Sequence, residues 1–136
     1  MKYLILAAAL SLPFIPQQAT ADEAYLGLKT YHFDRGGSDC LNEEHHLAAY
    51  KKNDITVGTY ENSQCMRSYL VSKSYTLGNG FGVDMSVVTG YPKSMHIVKG
   101  LVLIPMVTYT KYWGSIGIKA IMVPTVLVGV GIAVRF

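Results

Sequence analysis

The sequence predicts an all-β fold, an eight-stranded antiparallel transmembrane up-and-down β-barrel, and three observations support this prediction. The last residues alternate strictly between bulky apolar and small or charged side chains. Eight segments with strand-like alternation follow one another along the chain. Short and longer connections occur between them, as in outer-membrane barrels with short periplasmic turns and longer extracellular loops.

The C-terminal segment VLVGVGIAVRF carries the clearest pattern. One face consists of Val126, Val128, Val130, Ile132, Val134 and Phe136, and the other of Leu127, Gly129, Gly131, Ala133 and Arg135. A period of two is that of a β-strand. A membrane barrel strand needs about 9 to 11 residues with apolar side chains toward lipid. The segment is therefore predicted to be the last strand of such a barrel, and its terminal Phe136 resembles the recognition signal of bacterial outer-membrane barrels.

The N-terminal segment MKYLILAAALSLPFIPQQATA has the features of a secretory signal peptide. Lys2 precedes an apolar run from Tyr3 to Leu12, and the triplet at residues 19–21 offers a small-residue cleavage site. The run is too short for a transmembrane helix, which needs about 20 apolar residues. We expect residues 1–21 to be cleaved and residues 22–136 to form one barrel domain in the bacterial cell outer membrane.

Charge and cysteine content limit the possible partners and the compartment. The chain has 12 Lys+Arg and 9 Asp+Glu, and loss of Lys2 with the signal peptide leaves 11 against 9. This balance argues against a nucleic-acid partner. Cys40 and Cys65 are predicted to form a disulfide, because an exported protein meets an oxidising compartment. Two unrelated thiols are the alternative, since the sequence does not give their distance.

The eight candidate strands are separated by turn-forming residues. They are Ala24–Phe33, His46–Lys52, Ile55–Tyr60, Arg67–Leu77, Phe81–Gly90, Leu101–Thr110, Ser115–Val123 and Thr125–Phe136. With both termini in the periplasm, the tight connections at 51–54, 78–80 and 111–114 are predicted to be periplasmic and the longer ones extracellular. The inward face of the fourth strand is not predicted, because polar and apolar residues occur on both of its faces. A small soluble periplasmic barrel of the lipocalin type is the alternative fold.

The predicted barrel interior is charged in its periplasmic half and mostly small or apolar in its outer half. Asp84 and Lys119 fall in the periplasmic half of the inward face, and Gly129 and Gly131 fall on the inward face of the last strand. An eight-stranded barrel can hold one small ligand. The glycines would then leave room for an extended acyl chain, or they relieve crowding in the curved wall.

Polar residues at the outer ends of the strands form a candidate reaction site. His32 ends the first strand in TYHFDR, Asn42 and Glu43 lie in the first long loop, and Asn62 and Ser63 lie in TYENSQC. An imidazole that removes a hydroxyl proton is what acyl transfer through an activated hydroxyl requires. A surface histidine and an ordinary Asn-Ser turn are the alternative.

These segments resemble the lipid A palmitoyltransferase family, PagP and its smaller relatives. The resemblance rests on TYHFDR followed by NEE, on TYENSQC, LVLIPMVTY and IKAIMVP, and on the terminal VRF. It implies an outer-membrane barrel that moves a palmitoyl chain from a phospholipid to lipid A and holds that chain in an apolar interior shaft. It also implies His32 and Ser63 as catalytic residues. Asn62 takes the place of the family's aspartate and is expected to position a carbonyl group.

The chain departs from the family at two points. Only two mature residues, Asp22 and Glu23, precede the predicted first strand, where the family has an amphipathic helix, and Asn62 lacks the charge of an aspartate. The expected consequence is either slower turnover or support of the imidazole by another acid, such as Asp34 or Glu43. Asn42 and Arg67 are expected to hold phosphate or carbonyl oxygens of the substrates.

Pro105 interrupts GLVLIPMVTYTK, which otherwise reads as a strand. Proline has no N–H for a neighbouring strand and is normally confined to edges, strand starts and bulges. The family resemblance implies that Pro105 and Pro124 flank a lateral opening between strands six and seven, through which lipid reaches the interior. The alternative for Pro124 is an ordinary turn residue.

The predicted function is acyl transfer from a phospholipid to lipid A or another outer-leaflet lipid, by a monomeric barrel without a cofactor. A non-catalytic barrel (an adhesin, an immunity factor or a surface-masking protein) and a lipid A deacylase remain open. No metal site is expected, because the adjacent His45 and His46 point to opposite faces of a strand.

Overall fold

The computed structural model describes residues 22–34 and 40–136, so the predicted signal peptide lies outside it. Eight antiparallel strands form a closed barrel in which each strand pairs with the next and the last pairs with the first. They are β1 (Glu23–His32), β2 (Glu44–Lys52), β3 (Ile55–Glu61), β4 (Arg67–Gly78), β5 (Phe81–Val88), β6 (Val102–Trp113), β7 (Ile116–Val123) and β8 (Leu127–Arg135). The prediction of a closed eight-stranded antiparallel barrel is confirmed.

Strand boundaries differ from the predicted ones by a few residues. β2 begins at Glu44 instead of His46, and β6 continues to Trp113 instead of ending at Thr110. β5 ends at Val88, ahead of Gly90 with its positive φ of 83°. β8 begins at Leu127 because Thr125, with a φ of 63°, belongs to the preceding turn. Local backbone geometry, which residue alternation does not report, sets these ends.

The barrel has two different ends. One, called here the turn end, carries the tight β2–β3, β4–β5 and β6–β7 connections and the adjacent residues Asp22 and Phe136. Asn53, Asp54 and Asn79 in these turns have positive φ values of 49°, 66° and 55°, which two-residue hairpin turns require. The opposite end, called the loop end, carries the other connections, including a single turn of 3₁₀-helix at Lys93–Met95. The three predicted tight turns therefore lie at one end of the barrel.

Bulky apolar side chains cover the outward face, and the inward face carries both polar and apolar side chains. On β8, Val130 and Ile132 are 47% and 52% exposed, whereas Ala133 is fully buried. Buried polar side chains include Ser72 on β4 and Asp84 on β5. Charged side chains are almost never fully buried unless they are paired, and Asp84 is paired with Lys119. No helix within residues 22–34 and 40–136 is long and apolar enough to cross a membrane.

The inward face of β4 consists of Ser68, Leu70, Ser72 and Ser74. Lys73 points to the other face, where its Nζ lies 3.9 Å from Asp54 in the β2–β3 turn. The sequence does not predict which face of this strand points inward, because the buried positions are mostly serines and do not stand out from the polar residues on the other face.

A disulfide between Cys40 and Cys65 joins the β1–β2 and β3–β4 connections at the loop end, which confirms the predicted pair. The two residues are 25 positions apart in sequence. The disulfide therefore closes a loop of moderate length and fixes two connections that contribute candidate site residues.

Replacing both cysteines with serine is expected to lower the free energy of unfolding by about 3 kcal/mol, because a cross-link over a loop of this size restricts the unfolded chain. Urea unfolding of Cys40→Ser/Cys65→Ser beside the wild type measures this. Strand content by circular dichroism should not change, since the disulfide lies outside the strands. Wild-type protein under reducing conditions is the control and should behave as the variant does. An unchanged midpoint in both would contradict the prediction.

Candidate functional site

A cavity of about 120 Å³ lies inside the barrel. Its middle section is apolar, with walls formed by Leu28, Leu47, Leu70, Ile104 and Ile121. An engineered apolar protein cavity of about 150 Å³ stays dry and binds benzene. The barrel interior therefore has room for part of an apolar ligand.

A polar floor, formed by Asp84, Lys119, Tyr25 and Glu23, closes the cavity toward the turn end. Lys119 Nζ donates a hydrogen bond to Asp84 Oδ2 at 2.8 Å and lies 4.3 Å from the centroid of the Tyr25 ring. Glu23 Oε2 accepts from the hydroxyls of Tyr25 at 2.8 Å and Tyr112 at 2.5 Å. Each buried charge thus has a partner, and an apolar ligand would end at this floor.

Three hydroxyl groups lie at the loop end of the cavity. Tyr60 and Tyr91 place their hydroxyl oxygens 3.0 Å apart, and the Tyr91 hydroxyl also hydrogen-bonds the side chain of Ser63. Burial raises the pKa of Tyr91, so its hydroxyl stays protonated at neutral pH. Ser63 therefore lies at the cavity wall within a group of hydrogen-bond donors.

His32, on the inward face of β1, is paired with Glu43. Glu43 Oε1 accepts from the backbone N–H of His32 at 3.0 Å and lies 3.4 Å from His32 Nδ1. His32 Nε2 is buried and has no hydrogen-bond partner in the described part of the chain. An Nδ1–H facing a carboxylate makes Nε2 the acceptor of a neutral ring. His32 thus has the geometry of a base that is oriented by an acid.

His32 and Ser63 both lie at the loop end but make separate contacts. The Ser63 side chain bonds Tyr91, and its backbone oxygen accepts from the Asn42 N–H at 3.0 Å. Within residues 22–34 and 40–136, no hydrogen bond joins His32 to Ser63. A direct serine–histidine pair would therefore require movement of one of these side chains.

Asn62 is fully buried, and its amide uses all of its hydrogen-bonding capacity. Its Nδ2 donates to Ser68 Oγ and to the Gly90 carbonyl, both at 2.9 Å. Its Oδ1 accepts from the backbone N–H groups of Gln64 at 2.9 Å and Met66 at 3.0 Å. An amide has two donors and two acceptor positions. Positioning a substrate carbonyl, the role predicted for Asn62, would require displacing one of these partners.

The two residues predicted to hold substrate oxygens differ in their surroundings. Asn42 Oδ1 accepts from the Glu44 N–H at 3.0 Å, while its Nδ2 lies 3.4 Å from two carbonyl oxygens of the β3–β4 hairpin. Asn42 therefore connects the first loop to that hairpin. Arg67 is exposed at the start of β4 and pairs through its backbone with Glu61. Its guanidinium lies on the surface of the loop end.

Gly129 and Gly131 lie where β8 packs closely against β1. A Cβ added at Gly129 would lie 2.8 Å from Thr30 Cγ2, and one added at Gly131 would collide with the backbone oxygen of Gly27. Gly27, with a φ of 62°, forms a β-bulge that shifts the pairing of β1 with both neighbours. The glycines therefore relieve crowding in the wall, and Gly131 also lines the cavity.

The ladder between β6 and β7 stops before the loop end. Its last pair is Val107 with Met122, and continuing the register by two residues on each strand would place Pro105 opposite Pro124. Residues 102–106 of β6 pair with β5 but have no partner on β7. Pro124 lies in the turn before β8, which the Val126 N–H to Val123 carbonyl bond closes. Both prolines thus lie where the ladder ends, and neither has an N–H to extend it.

His45 lines the cavity, although the prediction made for it from the sequence concerned only metal binding. It points into the barrel, as expected from its opposite phase to His46, and is 4% exposed. Its ring contacts Thr30 and the backbone of Glu61. Counting the inward phase of β2 back from Ala49 identifies it, but its partners follow only from the strand register. No group of three or more His, Cys, Asp or Glu side chains suited to a metal ion occurs among the described residues.

These observations define the molecule as a closed eight-stranded β-barrel with an internal cavity, a polar floor and an imidazole–carboxylate pair at the loop end. No protein-family model, curated protein or solved structure matches the chain. The resemblance to the lipid A palmitoyltransferase family stays a prediction from short sequence segments.

Proposed function

We propose that the protein is an outer-membrane acyltransferase that moves a fatty acyl chain from a phospholipid to lipid A or another outer-leaflet lipid. The turn end would face the periplasm and the loop end the cell exterior. The donor chain would occupy the barrel cavity while its ester group lies among the polar residues of the loop end.

The outward face of the barrel supports a location in a membrane. Bulky apolar side chains cover it, among them Val57, Val71, Ile118, Val130 and Ile132. Exposed aromatic side chains lie near both ends, with Phe81, Trp113 and Phe136 at the turn end and Tyr31, Phe33 and Tyr69 at the loop end. An apolar band between two aromatic girdles is typical of outer-membrane barrels.

The observation that carries the acyltransferase proposal is the interrupted β6–β7 ladder. In a bilayer, an unsatisfied backbone group costs several kcal/mol, so closed barrels normally pair their strands completely. Here the part of β6 that pairs with β5 but not with β7 contributes Ile104 and Met106 to the wall of the cavity. A gap at this position would connect the outer leaflet to an apolar interior space. A lipid substrate needs such a connection, whereas a purely structural barrel does not need one.

The chemistry assigned to the loop end is transfer of the acyl group to an acceptor hydroxyl. His32 Nε2, which has no partner in the described residues, would take the proton from that hydroxyl. The acceptor oxygen would attack the ester carbonyl carbon, the bond from that carbon to the glycerol oxygen would break, and the glycerol oxygen would take the proton from the His32 imidazolium. The hydroxyls of Ser63 and Tyr91 would donate to the carbonyl oxygen as negative charge develops on it. Glu43 would stabilise the imidazolium. This route uses no metal or cofactor.

Mass spectrometry of lipids tests this function directly. The purified barrel is placed in vesicles that contain phosphatidylethanolamine and lipid A. The expected result is lipid A with one additional acyl chain and an equal amount of lysophospholipid. Loss of an acyl chain from lipid A would indicate a deacylase instead, and unchanged lipids would contradict enzymatic activity. Ser63→Ala protein, verified as folded, should show a reduced gain.

A further inference from the structure

A second imidazole–hydroxyl pair lies in the cavity wall. Thr30 Oγ1 and His45 Nε2 are 2.8 Å apart, and His45 Nδ1 is 2.6 Å from the backbone oxygen of Glu61. Thr30 and His45 are 7% and 4% exposed, and both line the cavity. The three groups belong to β1, β2 and β3, so three neighbouring strands fix their relative positions.

The direction of each hydrogen bond follows from the carbonyl group. A carbonyl oxygen only accepts, so His45 Nδ1 must carry the proton that it donates to Glu61. In a neutral ring, Nε2 is then the acceptor, and the Thr30 hydroxyl donates to it. A hydroxyl that donates to an imidazole, which is itself held by a third group, is the arrangement of an activated nucleophile.

The surroundings of Thr30 also suit an acyl donor. Thr30 lines the same cavity as the apolar side chains and as Tyr60 and Ser63, and the ring of its partner His45 lies 6.1 Å from the Tyr60 ring, measured between centroids. The Thr30 methyl group packs against Gly129 on β8, where an added Cβ would lie 2.8 Å from Thr30 Cγ2. An ester carbonyl of a chain seated in the cavity would therefore reach Thr30.

We propose that Thr30 is a nucleophile that accepts the acyl group from the phospholipid, with His45 as its base. This inference rests on the proposed function and replaces the direct attack of the acceptor on the phospholipid ester with two half-reactions. Thr30 Oγ attacks the ester carbonyl carbon while its proton passes to His45 Nε2. The bond from that carbon to the glycerol oxygen breaks, and the glycerol oxygen takes the proton from His45. Lysophospholipid leaves, and the acyl chain remains on Thr30 as an ester.

The second half-reaction returns the enzyme to its starting state. His32 removes the proton of the acceptor hydroxyl, whose oxygen attacks the carbonyl carbon of the Thr30 ester. The bond between that carbon and Thr30 Oγ breaks, and Oγ recovers its proton from the His32 imidazolium, so both histidines end neutral. No oxidant, reductant or metal takes part. The two histidines thus remove protons from different hydroxyls, His45 from Thr30 and His32 from the acceptor.

The test is covalent trapping without an acceptor. The whole barrel is placed in phosphatidylethanolamine vesicles that lack lipid A, quenched with acid, and analysed by intact-protein and peptide mass spectrometry. The expected result is a mass gain of one fatty acyl group at Thr30, together with one equivalent of lysophospholipid. The adduct should be lost in Thr30→Val, which keeps the shape of the side chain, and kept in Thr30→Ser. Thr108→Val, at another buried inward position, is the matched control and should keep it.

The outcomes separate the two proposals. Transfer to lipid A without a Thr30 adduct, and at the wild-type rate in Thr30→Val, would overturn the inference and leave the proposed function standing. An adduct on Ser63 instead of Thr30 would also overturn it. An adduct on Thr30 without transfer to any acceptor would support the inference and contradict the proposed acceptor. Absence of adduct, lysophospholipid and transfer would overturn both. Because the wild-type adduct is measured on the protein itself, a variant that fails to fold does not decide the result.

Discussion

Replacing His32 with glutamine is expected to lower the rate of acyl transfer to lipid A by ~10²–10⁴-fold, the usual contribution of a general base. Glutamine preserves hydrogen bonding near Glu43 but cannot take up a proton. The physical basis is the unpartnered Nε2 of His32, which is 6% exposed and oriented through the carboxylate of Glu43. Initial rates in vesicles that contain lipid A measure the effect.

His46→Gln is the matched control, because this imidazole lies on the outward side of β2 and its side chain is 78% exposed. It should transfer at the wild-type rate. If the Thr30 intermediate forms, His32→Gln should also accumulate the acyl adduct, since only its second half-reaction is blocked. Wild-type transfer by His32→Gln, in protein whose thermal unfolding is unchanged, would contradict the assignment of His32.

Replacing Pro105 and Pro124 with valine is expected to close the wall between β6 and β7 and slow transfer from bilayer phospholipid by roughly tenfold, equivalent to about 1.4 kcal/mol in the barrier. Valine supplies the N–H that proline lacks, and the register would place these two residues opposite each other. Stability should rise, because each added ladder hydrogen bond contributes about 0.5–1.5 kcal/mol. Initial rates and unfolding midpoints of the double variant measure both effects.

A soluble short-chain ester distinguishes access from chemistry. It reaches the loop end from water, so its turnover should be the same in the double variant and the wild type. Pro92→Ala changes an exposed proline of the β5–β6 connection and should affect neither substrate. Equal loss with both substrates would show that the prolines support the reaction site itself, and would argue against a lateral route.

The strand pattern could be predicted from the sequence because outward apolar side chains repeat every second residue. β8 is the clearest case, since Val128, Val130 and Ile132 are all exposed on the outward face. β4 could not be phased because three of its inward residues are serines, which do not stand out from its polar outward residues. Which face of β4 points inward depends on partners such as Ser86, which forms a buried hydrogen bond with Ser72.

The candidate site could be predicted only in part, because its contacts join residues distant in sequence. The sequence indicated His32, with Asp34 or Glu43 as its acid, and the structure places Glu43 beside it. The pairing of Thr30 with His45 depends on the bulge at Gly27, which shifts the register of β1 and which alternation does not predict. The four hydrogen bonds that occupy the Asn62 amide are likewise visible only in the folded structure, because their partners lie in neighbouring segments.

The polar floor of the cavity blocks the passage of ions through the barrel. Lys119 and Asp84 form an ion pair within the barrel, and Glu23 lies between Tyr25, Tyr112 and Lys51 closer to the turn end. An ion passing through would have to separate these buried partners at a high desolvation cost. In the proposed membrane location the barrel would therefore conduct no ions and admit no small hydrophilic solutes.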